Sequence, residues 1–266
     1  MASTDKPTRI AIVTGAAQGI GKAIALRLAK DGLDVAINDL PRMQEQLTAV
    51  SEEIRAMGRN SSIHLADMSN EEEIRTMFNE VIEKYGGLDV MVANAGVCLM
   101  TSFLDMPLEL YDKTFAINSR SVFLCYQLAA KQMVKQGRGG RIIGASSFGG
   151  KSGVQHESLT AYVGTKFAVR GMTQAVAGEL GKYGITVNAY APGLVDTEMA
   201  RQYVEKHAKE YGIPPEQFAA TYYSQVPVRH GGSPEDVAGL VSYLASEESS
   251  FMTGQTVSIN GGVFCD

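Results

Sequence analysis

Along this 266-residue chain, short runs rich in β-branched residues alternate with longer segments of helical period, and few folds accommodate that alternation. The runs span residues 9–14, 34–38, 61–66, 90–93, 140–146, 186–190 and 255–259. Between them, residues 21–31, 43–58, 71–85, 108–137, 161–183 and 234–245 carry apolar side chains at three- and four-residue spacing. Strands joined by crossover helices must pair in parallel. The expected fold is therefore α/β, a doubly wound Rossmann arrangement with a seven-stranded parallel sheet and helices on both faces. With 45% hydrophobic residues, positions 1–266 suffice for one core and a single domain. Residues 196–224 stand apart. They are rich in Tyr, Glu and Lys and broken by Pro214-Pro215, and they read as two short helices inserted after a strand, where a substrate lid would sit.

Charge and composition exclude several functions. A net charge of -5 does not suit a surface that attracts phosphate backbones, so no nucleic-acid partner is expected. The polar start, residues 1–9, leads into Ile10-Ala-Ile-Val13 without the apolar run of a signal peptide or membrane span; a cytoplasmic protein with no membrane partner is expected. Cys98, Cys125 and Cys265 form no CxxC pair and read as free thiols, two of them buried. His64, His156, His207 and His230 lack mutual ligand spacing, so no metal site is expected; they read as solvated or capping, with His156 the one to test against substrate.

The first run passes directly into Thr14-Gly15-Ala-Ala-Gln18-Gly19-Ile20-Gly21 and then a helical stretch. Glycines at these places let the backbone turn sharply and approach a pyrophosphate, whose charge the helix N-terminus favours. Taken alone, the cluster could equally be a tight turn needing positive φ. Asp39, followed by Leu40, ends the second run about twenty residues on, where a carboxylate can accept both hydroxyls of an adenosine ribose and repel a 2′-phosphate. Neither Ala17 nor Gln18 is basic, although Arg42 lies near enough to offset Asp39 in part. NAD(H) is accordingly favoured over NADP(H). Asp67-Met68 and Asn94-Ala95-Gly96 also fall at strand C-terminal ends, where ligands of open α/β sheets collect, although Asp67, Ser69 or Asn70 could simply cap a helix.

Tyr162 and Lys166 lie one turn apart on one helix face. A hydride added to a ketone leaves an alkoxide that needs a proton, and a tyrosine with its ordinary pKa of about 10 gives one sluggishly near neutrality. A neighbouring ammonium would lower that pKa. Fifteen residues earlier stand Ser146 and Ser147, either of which can hydrogen-bond a carbonyl oxygen or merely satisfy a turn. Asn118 lies inside a helix rich in Ala, Leu and Phe, where an amide has no helical advantage.

Thr14-Gly15-x3-Gly19-x-Gly21, Asn94-Ala95-Gly96, Asn118, Ser147, Tyr162-x3-Lys166 and Pro192-Gly193, in this order, resemble the short-chain dehydrogenase/reductase family over nearly the whole chain. The resemblance implies a catalytic set of Asn118, Ser147, Tyr162 and Lys166. In that set the second serine of the pair acts on the carbonyl, Lys166 also bonds the nicotinamide ribose, and Asn118 kinks its helix and holds a water near the lysine. It further implies an adenine contact at Asp67, support from Asn94 and Gly96, cofactor contacts along Pro192, Gly193 and Val195, and a nicotinamide carboxamide partner in Thr197. The interval from Ser147 to Tyr162 is about two residues longer than in many relatives, which bears on the pocket formed by Phe148, Gly149, His156, Gly193 and Met199. Tyr162-x3-Lys166-Phe-Ala-Val-Arg-Gly171, Gly184-Ile-Thr-Val-Asn188 and Tyr243-Leu-Ala-Ser246 look most like acetoin and diacetyl reductases, the butanediol dehydrogenases. The expected substrate is a small ketone or secondary alcohol. A sugar or polyol dehydrogenase and a catalytically silent dinucleotide-binding scaffold are the alternatives. The same family likeness implies a homotetramer.

Overall fold

The computed structural model describes residues 8–153 and 158–265. Seven strands, β1 (Ile10–Thr14), β2 (Asp34–Asp39), β3 (Ser61–Leu65), β4 (Val90–Ala93), β5 (Gly140–Ala145), β6 (Ile185–Pro192) and β7 (Thr256–Ile259), form one sheet in the order β3-β2-β1-β4-β5-β6-β7. Every pairing is parallel. Strand order reverses between β1 and β4, and a crevice for ligands opens at the carboxyl ends of strands flanking such a reversal.

Strand periodicity sorts the core into two layers. Ala11 and Val13 of β1 face a layer with α1 (Gly19–Lys30), α2 (Gln44–Ala56) and α9 (Pro234–Ala245), through Ile24, Leu28, Leu47 and Val241. Ile10 and Ile12 face the other side, against α3 (Glu71–Tyr85), α5 (Ser121–Gln136) and α6 (Thr160–Leu180), through Phe78, Tyr126 and Val169. Helix starts are fixed locally. Asn70 caps α3 by accepting from the Glu72 and Glu73 amides, and Ser233 with Asp236 makes a reciprocal capping box on α9, whose first residue is Pro234.

Three expectations are corrected. The single helix foreseen at residues 108–137 is divided into α4 (Leu108–Phe115) and α5 by a π-turn, Ala116–Arg120, in which the Ser121 amide reaches back five residues to the Ala116 carbonyl. Of the cysteines, only Cys125 is buried; Cys98 is half-buried and Cys265 exposed. Neither His207, buried with Nδ1 donating to the Tyr203 carbonyl at 2.9 Å, nor His64 is solvated or capping: His64 is buried between Ser62 Oγ, 2.9 Å from Nε2, and Glu80 Oε2, 2.9 Å from Nδ1. Burial holds its imidazole below the ordinary value of 6.5 against the pull of Glu80.

Residues 196–224 fold as foreseen into two helices, α7 (Glu198–Tyr211) and α8 (Pro215–Gln225). Among the described residues, no helix is long and apolar enough to cross a membrane.

Candidate active site

The turn after β1 is shaped by three glycines, two by conformation and one by close approach. Gly15 and Gly19 have φ of 64° and 54°, and a Cβ on Gly21 would sit 2.0 Å from the Gly15 carbonyl oxygen and 2.6 Å from Asn94 Nδ2. Helix α1 then begins with Gln18 making no side-chain cap and with no acid in its first turn. Its leading N–H groups are thus left for an anion, and the backbone lies bare enough for a pyrophosphate to approach. Asp39 Oδ2 accepts from the Ala17 amide at 3.0 Å and Oδ1 from the Leu40 amide at 2.9 Å. Its carboxylate is therefore held at the edge of the same turn. These residues fit the adenosine and pyrophosphate half of a dinucleotide.

Asn94 ties the centre of the crevice together. Its Nδ2 donates to the Thr14 and Gly15 carbonyls at 2.7 and 3.1 Å, its Oδ1 accepts from the buried Tyr190 hydroxyl at 2.7 Å, and Thr14 Oγ1 accepts from the Asn94 and Ala95 amides, each at 3.0 Å. The ends of β1, β4 and β6 are thereby locked in register. Asp67 does not cap α3, a role Asn70 takes; its Oδ1 instead accepts from the Ser69 amide and hydroxyl, both at 2.8 Å, ordering the turn after β3. The Met68 side chain is turned into the core.

Across the crevice, the end of β5 and the start of α6 bring four polar side chains together. Ser146 and Ser147, adjacent just beyond β5, take different partners: Ser146 Oγ donates to the Lys166 carbonyl at 3.0 Å, whereas Ser147 Oγ accepts from the Gly149 amide at 3.1 Å and hydrogen-bonds with Tyr162. Lys166 Nζ donates to the Ala145 carbonyl at 2.8 Å and stands 5.4 Å from the Tyr162 ring centre. Asn118, at the π-turn, accepts from the Val97 amide and donates to the Val97 carbonyl, both at 2.8 Å, and also donates to Thr165 Oγ1 at 3.3 Å. Bare Gly96 lets this assembly close, since a Cβ there would lie 3.3 Å from Asn118 Oδ1 and 3.5 Å from Lys166 Nζ.

The electrostatics differ from expectation. Burial pushes the Tyr162 hydroxyl well above its ordinary range, the neighbouring Cys98 thiol adds to the rise, and the Ser147 hydrogen bond opposes it. Burial also lowers Lys166 to about 8. Burial dominates at the tyrosine, and the Lys166 ammonium donates to the Ala145 carbonyl rather than to the phenol oxygen.

Gly149 is buried and Phe148 half-buried beside Ser147, while Gly193 follows β6, with its amide donating to the Ile259 carbonyl at 3.0 Å. His156 lies outside the described residues. Thr197 caps α7 by accepting from the Ala200 amide at 3.3 Å, and its methyl is 3.2 Å from where a Gly19 Cβ would stand, so the start of α7 overhangs the glycine turn. Pro192 and Val195 flank Gly193, and Met199 is partly exposed in the first turn of α7. Two residues near the centre carried no sequence signal: Cys98, pushed up to about 11 by burial against the opposing Lys166 and Lys206 cations, and Lys206 itself.

Comparison with known proteins agrees with this geometry. A family profile described as enoyl-(acyl carrier protein) reductase matches residues 15–264. A short-chain dehydrogenase/reductase of Armillaria gallica is 47% identical over 100% of both chains, and the L-2,3-butanediol dehydrogenase of Corynebacterium glutamicum is 40% identical over 96% of this chain and 98% of that protein. Among solved structures, the acetoin dehydrogenase of Enterobacter cloacae superposes with a TM-score of 0.84 at 32% identity, covering 96% of this chain and 95% of that one. An actinorhodin polyketide ketoreductase solved with NADPH superposes at 0.91, with 33% identity and 99% coverage of each chain. With a glycine cradle at the sheet's switch point and relatives of this similarity along its whole length, the chain belongs to the short-chain dehydrogenase/reductase family of nicotinamide-dependent oxidoreductases.

Proposed function

We propose that the protein reduces small ketones or diketones of the acetoin and diacetyl type to secondary alcohols with NADH. The observation that carries this reading is the Ser147–Tyr162 hydroxyl pair, placed beside Lys166 on the opposite side of the crevice from the glycine cradle. In the reaction Ser147 orients the carbonyl oxygen and stabilises its developing charge, and Tyr162 gives that oxygen its proton. Lys166 would hold the nicotinamide ribose, and Asn118 fixes the Val97 backbone so that Gly96 stays open beside Lys166. The cofactor, when bound, supplies the hydride.

Asp39 supports NADH, since a carboxylate pinned at the glycine turn repels a 2′-phosphate. The butanediol dehydrogenase relative supports the substrate class. The chain acts as one domain, α7 and α8 covering the substrate. Outward-facing Phe123 and Phe167 on the α5/α6 face, and fully exposed Phe251 close to the edge strand β7, support a homotetramer, and free thiols fit the reducing cytoplasm.

Parallel NADH and NADPH assays over diacetyl, acetoin, butanediol, sugars and polyols test the reading. The expected result is reduction of diacetyl or acetoin with NADH, and relative use of NADPH that rises roughly tenfold or more in Asp39→Ser as the like charge is removed. Turnover confined to sugars or polyols would reassign the substrate. Binding of dinucleotide without turnover of any compound would make the protein a silent scaffold.

A further inference from the structure

Helices α7 and α8 pack mainly on each other. Tyr203 and His207 lie 4.2 Å apart between ring centres, His207 and Phe218 5.8 Å, and Tyr211 and Phe218 6.0 Å. His207 is buried in this aromatic group, its Nδ1 donating to the Tyr203 carbonyl at 2.9 Å. The pair is thus a hairpin with a small core of its own. At its base the segments entering and leaving it are clasped: the Asp196 amide donates to the Gly232 carbonyl at 2.9 Å and the Gly232 amide to the Leu194 carbonyl at 3.1 Å. Beneath the base lies a cavity of about 220 Å³ bounded by Leu194, Tyr222, Val226 and Ile259. Ser147 and Tyr162 do not line it. A self-packed hairpin clasped at its base takes its position over the site from whatever holds it away from that base.

That attachment is Lys206. Its Nζ donates to the Met100 carbonyl at 3.1 Å, a contact spanning 106 residues of sequence, and lies 3.6 Å from Glu210 Oε1, one turn on. Met100 belongs to the segment following β4 that is itself registered to the reacting groups. Val97 in that segment is held through both backbone groups by Asn118, and the Thr101 amide donates to the Ser158 carbonyl at 3.0 Å, just before α6 and Tyr162.

We propose that Lys206 is a positioning residue that latches the α7–α8 hairpin to the Met100 carbonyl and so closes the substrate pocket over Tyr162. This rests on the reading of α7 and α8 as a cover for the substrate of Tyr162. A charged donor on a carbonyl is a strong single hydrogen bond, and its loss frees the middle of α7 without touching the glycine cradle.

The full-length Lys206→Met variant tests it, keeping the aliphatic stem and removing the ammonium. KM for diacetyl should rise roughly tenfold, the scale of one charge-assisted bond, with kcat and the NADH dissociation constant changed by less than about twofold and amide hydrogen exchange quickened across α7 and not in α6. Lys206→Arg, which can reach the same carbonyl, should restore both KM and exchange. Unchanged exchange in Lys206→Met overturns the latch, and quickened exchange with unchanged KM overturns its role over the substrate. Exchange is read without turnover, so a wild-type protein that reduced no ketone would defeat the proposed activity while the exchange result still judged the latch.

Discussion

Replacing Tyr162 by Phe is expected to lower kcat for ketone reduction by about 10³-fold, within the range a positioned general acid supplies, while the dissociation constant for NADH changes by less than about twofold. Phenylalanine keeps the ring that packs beside Lys166 and removes the one hydroxyl able to protonate the product oxygen. Ser147 remains on its Gly149 amide, so the carbonyl is still oriented but left without a donor. Steady-state rates and a fluorescence titration of bound NADH separate the two quantities. A variant that kept most of its turnover would assign proton donation elsewhere, and one that lost cofactor binding would make Tyr162 a structural residue. In the free enzyme the pH profile of kcat/KM should also fall as pH rises through about 8, where buried Lys166 loses its charge.

The second large effect concerns the glycine turn. In Gly21→Ala the new methyl would stand 2.0 Å from the Gly15 carbonyl oxygen and 2.6 Å from Asn94 Nδ2. Neither can give way cheaply. Gly15 is main chain in the left-handed region, and Asn94 is bound to the Thr14 and Gly15 carbonyls and to Tyr190. The turn must rebuild, at a cost of about 3 kcal/mol, and dinucleotide affinity should fall by roughly 100-fold with a clear drop in Tm. Gly171→Ala is the contrast: no atom lies within 4 Å of its Cβ position in α6, so stability should be unchanged or higher. Calorimetric titration with NADH and thermal melts read both variants. Full affinity in Gly21→Ala would contradict the cradle assigned to this turn.

Most of the fold was legible because a parallel sheet buried on both faces writes itself as short β-branched runs separated by amphipathic helices. Observed strands differ from the expected runs at their ends; β6, expected at residues 186–190, continues to Pro192, where pairing with β7 outlasts the apolar pattern. The site residues could be named in sequence because most of them fall at the end of a strand or the start of a helix; Asn118, inside a π-turn, does not. What sequence left open was settled by directions it does not encode. Just beyond β5, Ser146 is taken up by the Lys166 carbonyl of α6, whereas Ser147 faces the Gly149 amide and Tyr162. By residue type alone Asn118 signalled a poor helix former, the family resemblance added a kink, and the π-turn that aims it at Val97 depends on packing between α4, α5 and α6. His64 was misread because its partners Ser62 and Glu80 meet it only when α3 lies against β3. Desolvation of Tyr162 and Lys166 escaped notice for a similar reason: helical spacing reports that two side chains are neighbours but not how far water is excluded from them.

Hydride transfer itself is the central claim, and isotopic labelling of the cofactor reads it most directly. NADH deuterated at the hydride-donating carbon of its dihydronicotinamide ring would be supplied to the wild-type protein with diacetyl, and the product examined by mass spectrometry and NMR. One deuterium on the new carbinol carbon per NADH oxidised is the predicted result. Bound NADH that is never oxidised, or alcohol that carries no deuterium, would contradict it.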